Sequence, residues 1–263
     1  MNKQNKHIQF LPDFSGITVL FLPAFPLNHK MWQPQAEFLA KKGVRYFTPD
    51  YPGFGGRSVP DKNLTMSDYA EEVYREVVKS QIERAIVVGL SMGGYVALAL
   101  FRSHPELFTG LLLANTRATA DTEEGRRNRR MMIAQLEQDE DLRSVIESHL
   151  EKFFSEQTRR ENPALLEQTR QMMRESSVEG VIQAQKAMAG RPDSLELLPQ
   201  INFPVVVVAG KADQLTTTED AQKMVERLPR VTLHVIPGAA HLSNLEFPEK
   251  FNQALWALIK DVL

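Results

Sequence analysis

The run Gly89-Leu90-Ser91-Met92-Gly93 sets one serine between glycines two places before and two places after it. It follows the apolar stretch AIVVG (85–89) and leads into GGYVALALFRSH (93–104), which reads as a helix that stops before Pro105. A sharp strand-to-helix turn needs this spacing. The serine takes strained backbone angles, and its neighbours at −2 and +2 come too close for side chains. The turn lifts the hydroxyl above the sheet and aims the free N–H groups of the next helix at the reacting atoms. The chemistry such a serine suits is nucleophilic attack on a carbonyl carbon.

A serine hydroxyl needs a base, and the base needs an acid to orient it. The order expected for this arrangement is Ser, then Asp or Glu, then His. His241 lies in IPGAAHLSNLEFPEKF, past the last apolar run, where parallel sheets keep their sites. His234 sits inside VTLHVI and reads as a structural or surface strand residue. His7, His29, His104 and His149 precede any suitable acid or fall in helix-like or surface contexts. Asp213 directly follows VVVVAGKA and is the expected acid, ahead of Asp193 and Asp220. The oxyanion donors are expected to be the backbone N–H groups of Met92 and of Phe25, the latter in FLPAFPLNHKMW (21–32). DYPGFGGRS (50–58) reads as a second loop at the same face, its glycines serving turns; it has no GK[ST] or G-x-G-x-x-G context for phosphate.

The elements that must position these groups are short and alternate. ITVLFL (17–22), VRYFT (44–48), AIVVG (85–89), GLLLAN (110–115), VVVVAG (205–210) and VTLHVI (231–236) read as strands, most of them apolar on both faces. Helices are expected over 67–80, with Ser67 as N-cap, and over 93–104, 217–228 and 248–263. This alternation predicts an α/β fold with a mostly parallel, doubly wound sheet. Residues 117–198 break it: they contain no convincing strand, and they predict a helical cap inserted into a core of 1–116 and 199–263. Met131, Met132, Met172, Met173 and Met188 in that segment suit an adaptable apolar ceiling, with Phe25, Leu27, Met92, Leu215 and Leu242 as candidate walls. The substrate-contacting residues expected from this are Leu27, Leu215, Leu242 and Met188.

Composition excludes several classes. The formal net charge of the 263 residues is −2, which favours neither nucleic acid nor an anionic membrane. The basic cluster RRNRR (126–130) sits in a segment, 117–175, with eleven Lys and Arg against thirteen Asp and Glu, so it reads as a solvated helix face. The absence of cysteine removes disulfides, thiolate catalysis and Cys-based zinc sites. The polar start MNKQNKHIQF has no apolar h-region, and no run approaches a membrane span, so the expected setting is cytoplasmic.

With these residues in place, the chain resembles the α/β-hydrolase superfamily nearly end to end. LPAFPLNHKMW is similar to that family's oxyanion loop, with Pro23-Ala24-Phe25 in place of the usual His-Gly-aromatic form. DYPGFGGRS, GLSMGG, GKADQLT and GAAHLSNLEFPEKF resemble its Asp-x-x-Gly-x-Gly-x-Ser loop, nucleophile elbow, acid segment and histidine segment. NTRATADTEEGRRNRR is similar to the cap entrance of the enol-lactonases and related small esterases. The resemblance implies a cofactor-free, metal-free serine hydrolase acting on a small carboxylic ester or lactone, with Ser91, Asp213 and His241 as triad. Ser91 argues against haloalkane dehalogenases and soluble epoxide hydrolases, which need aspartate there. Carbon–carbon bond hydrolysis and perhydrolase chemistry use the same parts, and a small-molecule receptor of slow turnover is the alternative from another class.

Overall fold

Strands that carry apolar side chains on both faces are stable only with a layer of helices on each side. The structure, a computed structural model describing residues 8–9, 16 and 18–263, has that form. Its sheet contains β1 (Ile8–Gln9), β2 (Thr18–Leu22), β3 (Arg45–Phe47), β4 (Ala85–Leu90), β5 (Phe108–Ala114), β6 (Val205–Gly210) and β7 (Val231–Ile236). The spatial order is β1-β3-β2-β4-β5-β6-β7, all parallel except the short β1–β3 pair. His7 and Ile17 lie outside the described residues.

The period-2 alternation of strand side chains divides the interior in two. Leu20, Val87, Leu111 and Val205 point to a core completed by α2 (Met66–Lys79), α3 (Met92–Ser103) and α9 (Thr218–Val225). Their chain neighbours Val19, Ile86, Leu112 and Val206 point to a second core, closed by α1 (Gln33–Lys41) and α11 (Pro248–Val262). The start of α2 differs from the sequence expectation. Its N-cap is Thr65, which accepts from Asp68 N while the Asp68 carboxylate accepts from Thr65 N. This reciprocal capping box satisfies two orphan donors, which Ser67, already inside the helix, does not do.

The sheet reverses direction of winding between β2 and β4: β3 lies on one side of β2 and β4 on the other. Ligand crevices in open α/β sheets form at such a point, outside the carboxyl ends of the strands. Between β5 and β6 the chain passes through α4 (Glu123–Asp139), α5 (Arg143–Phe153), α6 (Glu156–Glu161), α7 (Pro163–Arg174) and α8 (Val178–Ala189). A short α10 (Ser243–Glu246) precedes α11.

The helical segment is tied to the sheet's loops backbone to backbone. Ser177 N donates to Gly53 O at 2.8 Å, and Gly56 N donates to Glu175 O at 3.2 Å. At the centre of this contact Gly53, at φ +85°, faces Gly180; a Cβ on Gly180 would lie 2.5 Å from Gly53 Cα. Neither side can yield without moving backbone. Gly180→Ala is therefore expected to lower stability by about 1–3 kcal/mol despite the better helix propensity of alanine. Urea unfolding of the variant against wild type measures this.

Candidate active site

β4 ends at Leu90, and Ser91 takes φ +56° and ψ −114° before α3 begins at Met92. A non-glycine residue in such a conformation stores about 1–3 kcal/mol of strain and persists only where its surroundings over-determine it. Here they do. A Cβ on Gly89 would collide with Gly93 O, and one on Gly93 with Leu22 O, so strand, helix and the neighbouring β2 pack at backbone distance. Ser91 N donates to Ala114 O at 2.9 Å, and Ser91 O accepts from Thr116 Oγ1 at 2.8 Å. The loop after β2 brings Phe25 to the same cavity.

Asp213 follows β6 and His241 follows β7, and the two meet. The His241 Nδ1–H donates to Asp213 Oδ2 at 2.9 Å. Both residues are almost wholly buried, at 2% and 6% exposure. Asp213 Oδ2 also accepts from Asn115 Nδ2 at 2.8 Å and Thr216 Oγ1 at 2.6 Å, while Oδ1 accepts from Leu215 N and Thr216 N. Burial alone would push the Asp213 carboxyl up. The charge His241 carries when protonated, with hydrogen bonds from His241, Asn115 and Thr216, outweighs burial and holds it well below the usual carboxylate range. The proton on Nδ1 leaves His241 Nε2 as the free basic atom. Asp193 accepts from Ala120 N and Leu195 N, and Asp220 completes a capping box with Thr217. Neither contacts a histidine.

Ser91 and His241 line one cavity of about 290 Å³. No hydrogen bond joins Ser91 Oγ to His241 in this conformation; catalytic contacts of this kind often tighten only when substrate is bound. Phe153 of α5 stacks on the His241 ring, with centroids 5.6 Å apart and planes at 19°. Met188 and Leu215 line the cavity, as does Met132. Leu27 and Leu242 do not: both are fully buried in the core closed by α1 and α11, beside Trp32 and Phe251. They anchor the loops that carry Phe25 and His241 and cannot also face a substrate. Met172 and Met173 lie in that core as well, and Met131 is exposed.

Three features went unread or were read differently in the sequence. Asn115, at φ +44° just past β5, ties Asp213 to Ala240 O and accepts from Ser243 Oγ at 2.5 Å. Its place at a strand's carboxyl end is the signal that marks it. Arg129, within RRNRR, turns inward: its Nε donates to Asp121 at 2.5 Å and its Nη1 to Gln185 at 2.8 Å. His149 of α5 lines the cavity too, its Nδ1–H donating to Val145 O at 2.7 Å. Among the described residues, no group of three or more His, Cys, Asp or Glu is arranged to hold a metal ion, and no helix is long and apolar enough to cross a membrane.

Residues 17–248 match the family model described as the alpha/beta hydrolase fold. The chain belongs to the α/β-hydrolase family. It is 31% identical over 263 residues to 3-oxoadipate enol-lactonase 1 of Acinetobacter baylyi, covering 99% of this chain and 96% of that one. A thermophilic esterase from Thermogutta terrifontis, solved with malate bound, superposes with a TM-score of 0.89 at 34% identity, covering 97% of this hydrolase and 93% of the esterase. The enol-lactonase from Burkholderia xenovorans LB400 shares the fold at a TM-score of 0.88 and 22% identity, with 97% and 95% covered.

His149 gives this hydrolase an acid-sensitive element. Burial, with the charges of Lys152, His241 and Arg129, lowers its imidazole from 6.5 to about 4, against the hydrogen bond to Val145, which raises it. The unfolded chain takes up a proton there as pH falls below the ordinary value, and the folded chain does so only near the lowered one. Stability is therefore lost across the window between them. From pH 7 to pH 5 the wild type is expected to lose about 1–2 kcal/mol more than His149→Phe. Denaturant unfolding of both proteins at the two pH values checks it.

Proposed function

We propose that this ester- or lactone-type hydrolase works through an acyl-enzyme on Ser91, with His241 as general base and Asp213 as its orienting acid. The observation that carries the reading is the convergence of a strained serine and a buried His241–Asp213 pair on one cavity. His241 Nε2 takes the Ser91 proton as Oγ attacks the carbonyl. The oxyanion that forms is held by the N–H groups of Phe25 and Met92. Met92 supports this as the first residue of α3, whose opening N–H groups lack intrahelical acceptors. His241 then protonates the leaving oxygen, and water repeats the sequence to release the acid.

The wall of the cavity favours a substrate with an acid group. Arg117, Arg129 and Lys152 line it; Arg117 Nε lies 3.6 Å from Asp220, and the one carboxylate on the wall itself, Asp121, is shared between Arg129 and the buried Arg191. Among the described residues no acid lies within ion-pair distance of Lys152. An ester or lactone carrying a free carboxylate places that charge toward these cations. The relative named for 3-oxoadipate enol-lactone and the esterase solved with malate both involve carboxylate compounds, which supports the same direction. The helical residues 117–198 act in this reading as the cap that limits substrate size.

A fluorophosphonate probe is expected to label Ser91 alone, as read by peptide mapping. Ser91→Ala should lose labelling and several orders of magnitude in kcat. Asp213→Asn should stay folded by circular dichroism yet lose most activity, because it favours the wrong imidazole tautomer. Adduct on another serine of active protein would sink the assignment.

On p-nitrophenyl esters, kcat/KM should peak at short acyl chains and fall at long ones, since the cavity is small and roofed. Half-esters with a terminal carboxylate should outperform neutral esters of equal length. Lys152→Gln should raise KM about three- to fivefold for the half-esters alone. Higher kcat/KM on long chains, or activation at an oil–water interface, would contradict a cap of fixed size.

A further inference from the structure

The cavity holds a second histidine that the triad does not use. His149 packs against Phe25, with centroids 5.5 Å apart, and against Phe153, at 5.3 Å. Phe25 carries one proposed oxyanion donor, and Phe153 lies on the His241 ring. His149 therefore borders both halves of the reacting centre from the cap side.

Its protonation state is fixed by geometry. A carbonyl oxygen only accepts, so the 2.7 Å contact from Nδ1 to Val145 O requires the proton on Nδ1. The Ser148 hydroxyl, 3.5 Å from Nδ1, gives its own proton to Val145 O at 3.1 Å and does not compete for that role. In the neutral ring Nε2 is then a bare acceptor. Among the described residues it has no hydrogen-bond partner, and His149 lines the cavity. Burial keeps the ring neutral through the physiological range.

We propose that His149 Nε2 accepts a hydrogen bond from a hydroxyl or N–H group that the substrate carries close to its scissile carbonyl, so that this hydrolase prefers hydroxyacyl or equivalent donor-bearing esters and lactones over their deoxy counterparts. The inference rests on the acyl-enzyme reading only for where the carbonyl lies. Arginine and lysine already supply donors to the cavity, and an acid group satisfies those. His149 is directed at a donor instead. Substrates lacking one leave the acceptor stranded in a site from which they have displaced water, and the penalty falls on them alone.

The test compares p-nitrophenyl esters of 2-hydroxypropanoic and 3-hydroxybutanoic acids with their deoxy and O-methyl analogues, each rate divided by that ester's alkaline hydrolysis rate. The O-methyl esters keep the oxygen, remove the donor and add one methyl, whereas the deoxy esters remove the donor without adding bulk. In wild type, at least one hydroxy ester is expected to exceed both analogues by about tenfold to a hundredfold in kcat/KM. In His149→Phe that ratio should fall to within about twofold of unity, whatever the variant does to the deoxy ester. In His149→Gln, which retains an acceptor, part of it should survive. A wild type that shows no preference, or a preference that persists in His149→Phe, overturns the proposal.

If no ester is turned over, the acyl-enzyme reading fails by itself. The same question is then put to binding, by titrating 2-hydroxypropanoate against propanoate and 3-hydroxybutanoate against butanoate while following the imidazole nitrogens by NMR. A perturbation of His149 Nε2 confined to a hydroxy acid supports the inference. Equal responses from both members of each pair overturn it.

Discussion

The positive-φ backbone at Ser91 is the constraint on which the rest of the site depends. A serine at φ +56° is not stable on its own, so the chain around it is built to leave no alternative. Gly89 and Gly93 let β4, α3 and β2 approach at backbone distance. That approach sets the angle at which α3 leaves the sheet, and with it the direction of the N–H at Met92. It also fixes the distance to the loop after β2, because Gly93 packs on Leu22, three residues before Phe25. One strained residue thus couples the proposed nucleophile to both proposed oxyanion donors. Relaxing the turn would misplace all three together.

The second half of the site obeys a different rule. Asp213 and His241 are buried, and a buried carboxylate is costly unless its lone pairs are filled. Five hydrogen bonds fill them, drawn from Asn115, Leu215, Thr216 and His241. Asn115 matters here because it belongs to neither loop. It stands at the end of β5, between the serine strand and the acid strand, and bonds Asp213, Ala240 O and Ser243. The network joins the ends of β5, β6 and β7 into one rigid edge. The imidazole tautomer is then a property of the sheet and not of a mobile loop.

Much of this was legible in the chain itself because the signals are local. Apolar runs mark the strands, and a serine fenced by glycines marks the turn. An aspartate and a histidine just past the last two strand runs mark their partners. Contacts that depend on how distant segments pack were not legible. Leu27 and Leu242 flank Phe25 and His241 in sequence, yet they are buried in the core beneath the loops, which need an anchor. Thr65 displaced Ser67 as a cap because Asp68 lies three residues after it, at the position that closes the box. RRNRR read as a solvated helix face, whereas α4 turns Arg129 toward Asp121 and Gln185 and leaves Arg130 with Glu123 outside.

His149 shows most plainly why the helical segment resists reading. A histidine in an amphipathic helix of the segment between β5 and β6 has no motif around it, and its neighbours Ser148 and Leu150 are unremarkable in composition. Its proposed role comes from three placements that sequence does not encode locally: a carbonyl one turn back, a phenylalanine on its own helix, and a second phenylalanine from the loop after β2. In the proposed mechanism the sheet supplies the reacting groups, whose geometry allows little change without loss of chemistry. The helices supply surfaces whose side chains decide what reaches those groups. On this chain the helical wall is mixed: sulfur and aromatic carbon from Met132, Met188 and Phe153, cations from Arg129 and Lys152, and one neutral acceptor from His149. A purely apolar ceiling would select by size alone. A wall that sets a cation and a fixed acceptor at different points selects by the distance between an acid and a donor on the same small molecule.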